Sequence, residues 1–260
     1  MVGSKESSYR TNYKSFSKFF FEDLIEDQKI ALVHFDKRGI GKSTGKWYKT
    51  SLEQRAEDVK EVAKFLSKIE YIDTSKIYVV GHSQGGWIVQ YCLANYGEFF
   101  AGGISMAGAT FSVRKQLIND FQSEFICNEG LTEELALQKA TSKTNSIFFW
   151  TSLLPIQENW KQLKKIKNFD IQPDLKKIQK PLLYLWGEHD LLVSYKWSLN
   201  SLQEEFPQGL PSHITYYIAP QENHSFQISE FCPENHSPKT YSEETKNQLE
   251  NWIIQQIGIP

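Results

Sequence analysis

The chain has 260 residues, of which 40% are apolar and 14% aromatic, enough for a substantial core and too many for a disordered chain. Its 29 Lys and Arg against 31 Asp and Glu leave a net charge of −2. No overall basic surplus therefore points to nucleic acid or to an anionic membrane. No apolar run approaches the roughly 18 residues of a membrane span. Residues 1–8 lack the apolar middle of a secretion signal. The three cysteines, Cys92, Cys127 and Cys232, are odd in number and far apart. They match neither a disulfide framework nor a zinc site, and with the missing export signal they suggest a cytoplasmic location.

Strand and helix patterns then alternate along the chain. Residues 13–26 carry Phe16, Phe20 and Leu24 at helical spacing, and the apolar run KIALVHF at 29–35 reads as a buried strand. Over 51–69, Leu52, Ala56, Val59, Val62, Leu66 and Ile69 recur every three or four residues, the stripe of an amphipathic helix. KIYVV at 76–80 reads as a strand, 84–96 as a helix, and 101–107 as another strand. Residues 112–172 differ, being helix-like with few strand signals. They are expected to form a helical insertion, a cap over the remaining core of 1–111 and 173–260. Its aromatics Phe148, Phe149 and Trp150 suit either the wall of an acyl or alcohol pocket or plain core packing of a lid, and packing is the favoured reading. The alternation resumes with strands at 181–186 and 214–219 and helices at 194–206 and 243–257. The expected fold is α/β, a mostly parallel sheet covered by helices on both faces.

Residues 81–86, Gly-His-Ser-Gln-Gly-Gly, fill the pattern G-x-S-x-G between the strand at 76–80 and the helix at 84–96. A sharp strand-to-helix turn needs small flanking residues, and it lifts the serine above the sheet near the positive end of the helix. The bare pattern is weak, but in this context it marks Ser83 as a nucleophile. The bland alternative is a small-residue turn with an idle serine.

A serine nucleophile needs a base and an orienting carboxylate. His224 follows the strand at 214–219, and Asp190 follows the strand at 181–186. Loops at the carboxyl ends of parallel strands open on one edge of the sheet, the edge of Ser83. His34, within a strand pattern, reads as packed, and His213 lies at the opposite edge. His236 is a weaker candidate base. His82 and His189 adjoin proposed catalytic residues and are expected to point elsewhere. Glu188 competes locally with Asp190, which lies deeper in its loop. The backbone N–H of Gln84 is the expected oxyanion donor. No metal or organic cofactor is required. A rival signal, Asp36-Lys-Arg-Gly-Ile-Gly-Lys-Ser43, approaches a phosphate-binding loop. It lacks the first glycine and no amphipathic helix starts after it, so Asp36 and Arg38 read as charges holding a structural turn.

Four segments, DKRGIGKSTG at 36–45, GHSQGG at 81–86, LWGEHD at 185–190 and NHSF at 223–226, occur in this order. In them the chain resembles the α/β-hydrolase superfamily, and more narrowly its bacterial-type serine esterases. The resemblance implies Ser83 as nucleophile, Asp190 as acid and His224 as base, in that chain order, with a helical cap over the site. It implies a small-molecule ester substrate. Thioesterase or small-peptidase activity with the same triad, or a non-catalytic binding protein on this scaffold, are the alternatives. The amino end departs from the family, which carries further strands before the helix at 13–26. One of these normally lies between the strands at 29–35 and 76–80 and leads into an oxyanion loop. Gly3-Ser4 is the expected relic of that loop, with Ser4 marking the second oxyanion donor, and a truncated amino end is the expected cause.

Overall fold

In the computed structural model, residues 8, 13–28, 30–233 and 240–258 are described. Four strands, β1 (Tyr78–His82), β2 (Gly102–Met106), β3 (Leu182–Gly187) and β4 (Ile214–Ala219), form one sheet in the order β1-β2-β3-β4. Every neighbouring pair is parallel, with Val80 opposite Ile104, Ser105 opposite Tyr184, and Leu185 opposite Tyr217. The loops after all four strands therefore open at one edge.

The helices follow from the apolar spacing. α1 (Lys14–Gln28) and α8 (Glu243–Ile257) cover one face of the sheet, while α2 (Leu52–Leu66), α3 (Gln84–Asn95) and α7 (Tyr195–Glu205) cover the other. β3 shows why both faces need cover. Its Leu182, Tyr184 and Trp186 enter the α2–α3 side, and Leu183 and Leu185 enter the α1–α8 side. Alternate side chains of a strand point to opposite faces, so a strand apolar throughout must be buried twice. Local chemistry sets the helix starts. At α2 the Ser51 side chain accepts from the Gln54 N–H while the Gln54 side chain accepts from the Ser51 N–H, a reciprocal cap for two otherwise orphaned donors.

Between β2 and β3 the chain runs through α4 (Val113–Glu129), α5 (Glu133–Leu153) and α6 (Glu158–Ile166), all within the segment expected to be helical. Of its aromatic triplet only Phe148 is buried. Phe149 and Trp150 are 58% and 50% exposed, which corrects the expectation of core packing for these two.

Two further expectations are corrected. Residues 30–35 form no strand. The apolar run is real, but a strand needs a hydrogen-bonding neighbour, and a cavity of about 570 Å³ lies between Ile30–Phe35 and the Tyr78–His82 side of β1. Cys127 and Cys232 form a disulfide, while Cys92 is free and buried. Sequence separation concealed the pairing, because α4 folds back over the segment that follows β4. The cysteine-based reason for a cytoplasmic location is thereby lost, since disulfides persist mainly in oxidising compartments. Among the described residues, no helix is long and apolar enough to cross a membrane.

The disulfide closes a loop of 105 residues and ties the helical insertion to the chain beyond β4. Reduction, or the paired change Cys127→Ser and Cys232→Ser, is expected to lower unfolding stability by about 2–4 kcal/mol. Urea denaturation with and without reductant measures the difference, and an unchanged midpoint would contradict it.

Candidate active site

The site begins with a close approach of β1 and α3. A Cβ on Gly81 would lie 2.2 Å from the Gly85 carbonyl oxygen, and one on Gly86 would lie 2.6 Å from Gly108 Cα. Only glycine allows the chain to turn this tightly from strand to helix. At the apex Ser83 takes φ 57° and ψ −121°, a region that non-glycine residues occupy at a cost of about 1–3 kcal/mol. The turn is pinned from both sides. The Ser83 N–H donates to the Met106 carbonyl at 2.8 Å, and the Gly86 N–H donates to the Ser83 carbonyl at 2.8 Å. Gln84 opens α3, where backbone N–H groups have no acceptor within the helix.

The second component comes from the loops after β3 and β4. Asp190 is buried, and its Oδ1 accepts from the N–H groups of Leu192 at 2.8 Å and Val193 at 2.9 Å. Its Oδ2 lies 2.8 Å from His224 Nδ1. An ionised carboxylate only accepts, so Nδ1 carries the hydrogen and Nε2 keeps its lone pair. Burial by itself would lower the His224 pKa. The charge and hydrogen bond of Asp190, with the charge of Asp120, outweigh it and hold the imidazole above its ordinary 6.5. Glu188, the competing carboxylate, is exposed and accepts instead from the Gln221 N–H.

His82 connects the two components. Its ring lies 4.9 Å from that of His224, centroid to centroid. Its Nε2 donates to the His224 carbonyl at 2.7 Å, which leaves Nδ1 to accept from Tyr13 OH at 2.8 Å. Burial, with the charge of His224, lowers its pKa to about 3, so it is a neutral ring at physiological pH. His82, expected to point elsewhere, is bonded through Nε2 to the backbone of His224. Sequence reasoning missed this role, because nothing near residue 82 announces a contact with residue 224.

Arg55 was also missed. It is buried on α2, and its Nη1 donates to the Gln84 Oε1 at 2.9 Å. Burial lowers its pKa to about 10, so it remains a cation. It lies next to Ala56 of the apolar stripe, and no motif in the sequence marks it. Asp120 on α4 is the third. Burial and the charges of Glu124 and Asp190 raise it to about 6, against the opposing charges of His224 and Lys143.

The remaining histidines lie elsewhere. His34 Nε2 is 3.0 Å from Ser17 Oγ, His189 Nδ1 donates to the Ser229 carbonyl, and His213 Nε2 donates to the Ile178 carbonyl. Ser4 and the weaker base candidate His236 lie outside the described residues. The segment after Asp36 is a turn, in which Arg38 forks onto both carboxylate oxygens of Asp58 on α2. Among the described residues, no three His, Cys, Asp or Glu side chains cluster as metal ligands.

A parallel sheet covered on both faces, with a serine at a glycine-flanked strand-to-helix turn, defines an α/β-hydrolase of the serine hydrolase type. Within that class, the model of the prolyl oligopeptidase family matches residues 16–255, and the chain belongs to this family. The solved structures agree on the fold. An esterase of Pyrococcus furiosus is 17% identical with a TM-score of 0.64, and the match covers 98% of this chain and 80% of that one. Est1E from Butyrivibrio proteoclasticus, with ferulic acid bound, is 17% identical with a TM-score of 0.62, covering 99% and 88%. A lipase-esterase related protein from Clostridium acetobutylicum is 19% identical with a TM-score of 0.59, covering 96% and 91%.

The glycine contacts yield a direct test. Gly81→Ala places its methyl against the Gly85 backbone, which no side chain can relieve by moving. It is expected to cost about 1–3 kcal/mol. Chemical denaturation reads the loss, and a variant as stable as wild type would show that the turn relaxes freely.

Proposed function

We propose that the chain hydrolyses carboxylic esters of small or medium size through Ser83, His224 and Asp190. The observation that carries this reading is the buried Asp190–His224 pair, held beside the serine turn by His82. Ser83 Oγ attacks the ester carbonyl carbon while His224 Nε2 takes its proton. The carbonyl oxygen becomes an oxyanion, and the Gln84 N–H donates to it. Collapse of the intermediate expels the alcohol, which receives the proton from His224, and leaves Ser83 acylated. Water then attacks the acyl carbon, giving its proton to His224, and the acid leaves as Ser83 recovers its hydrogen. Asp190 keeps the imidazole in the needed tautomer and offsets its positive charge in both steps.

The family match favours a second reading, cleavage of peptide bonds by the same triad. Both reactions pass through a tetrahedral oxyanion, so turnover of p-nitrophenyl esters against dipeptide anilides separates them. A fluorophosphonate probe is expected to label the wild type and not Ser83→Ala. Ester turnover is expected to fall by roughly 10⁴-fold in Asp190→Asn, with little change in fold. A folded wild-type sample that the probe does not label would overturn the catalytic reading and favour a binding protein.

The pH dependence follows from the groups around the base. Catalysis needs neutral His224, so kcat/KM rises with pH through its raised pKa. Asp120 ionises near pH 6, and its negative charge holds the proton on His224. Asp120→Asn removes that charge, so the acid limb is expected to move to lower pH. A kcat/KM profile that stays in place or moves upward would refute the coupling.

A further inference from the structure

We infer that the exposed apolar face at the carboxyl end of α5, together with the lysines of α6, docks onto an anionic lipid surface. This goes beyond the ester hydrolase reading and does not depend on it. Phe149, Trp150, Leu153, Leu154 and Ile156 are 58%, 50%, 57%, 53% and 75% exposed. At about 100° per residue, the first four fall within an arc of about 140° on one side of the helix. The opposite side is turned inward and carries Thr144, Phe148 and Thr151. Phe148 faces α4, where the Arg114 guanidinium lies 5.4 Å from its ring. The usual arrangement is thus inverted, with two threonines buried and four large apolar side chains left in water. Single exposed apolar residues are ordinary, but a contiguous patch marks a surface that something covers.

The surrounding charge identifies the occupant. From 149 to 167 the chain has four lysines, Lys161, Lys164, Lys165 and Lys167, against one acid, Glu158. Two of them stand beside the end of α5, while the Lys161 ammonium lies over the Tyr48 ring. Lys164 donates to the Ser152 carbonyl at 2.9 Å, and Lys167 donates to the Ser152 hydroxyl and to the Phe148 carbonyl. Lys165 is exposed. A tryptophan-bearing apolar face rimmed by lysines matches the boundary of a bilayer, where rings enter the headgroup layer and ammonium groups meet anionic lipid. A second copy fits less well, because a two-fold interface over this patch would set lysines against lysines. The net charge of −2 conceals the site, since the acids that balance these lysines lie elsewhere in the chain.

Co-sedimentation of the full chain with vesicles tests the inference, using phosphatidylcholine alone and an equimolar mixture with phosphatidylglycerol. The wild type is expected to pellet with the mixed vesicles, more weakly with added salt, and little with phosphatidylcholine alone. Trp150→Glu with Leu153→Glu is expected to abolish binding, and Lys165→Glu to weaken it roughly tenfold. Ile156→Glu is a second apolar variant should the double change fail to fold. Turnover of a soluble ester is the control and is expected to stay at the wild-type level in all of them. A wild type that binds the mixed vesicles but turns over no ester would count against the triad and leave the docking surface standing. No wild-type binding, equal binding to both vesicles, or binding unaffected by the variants would overturn the inference. So would a raised KM for the soluble ester with vesicle binding unchanged, which makes the patch a pocket wall. A wild-type dimer that Trp150→Glu splits, without vesicle binding, would assign the patch to a second copy.

Discussion

Ser83 sits at φ 57°, and the site depends on holding it there. The strain is worth about 1–3 kcal/mol, so a loose turn would relax and lower the hydroxyl into the sheet. The turn is made rigid by contact rather than by its own preference. Gly81 and Gly86 admit backbone where any side chain would collide. Below them, buried Gln90 donates to the carbonyls of Gly86 and Ala109 and accepts from Tyr184 OH at 3.1 Å. These bonds join α3, the loop after β2 and β3 into one body, and a fully satisfied buried network resists distortion. The strained serine is thus borne by a fully buried part of the protein.

A second constraint governs the loops that carry Asp190 and His224. Loops at a sheet edge are ordinarily its most mobile parts, yet here each is fastened several times. Asp190 gathers two backbone N–H groups of its own loop. Asn119 of α4 accepts from the Ser194 N–H at 2.6 Å, and Gln116 donates to the Leu192 carbonyl at 3.2 Å. His82 holds the His224 backbone, and the Cys127–Cys232 bond ties α4 to the chain just beyond. The helical insertion is therefore an outer support of the loop that carries Asp190 and of the chain beyond His224. This arrangement also explains why Asp120, on α4, influences the ionisation of His224.

The parallel sheet and its cover of helices on both faces were legible because the strands and helices rest on local rules, whereas the strand order and which helices share a face come from the structure. Apolar runs of five or six residues bounded by turns gave β1, β3 and β4, and three-to-four spacing gave α2. Residues 30–35 carry the same apolar signal as β1 and yet form no strand. Pairing is a property of two segments, and one segment cannot report whether its neighbour is in reach. The disulfide failed for a similar reason. Cys127 and Cys232 become partners only after α4 crosses the chain beyond β4.

By itself the sequence located the serine turn and the two loops that carry Asp190 and His224, and the order in which they come. Those follow from steric needs confined to a few consecutive residues. Tertiary structure alone decided that His82 bonds the backbone of His224, that Arg55 anchors Gln84, and that Asp120 shares the field of the His224 imidazole. It also decided which side of α5 faces water. These are contacts across dozens to more than a hundred residues, where side-chain chemistry at one end carries no record of the other until packing brings them together.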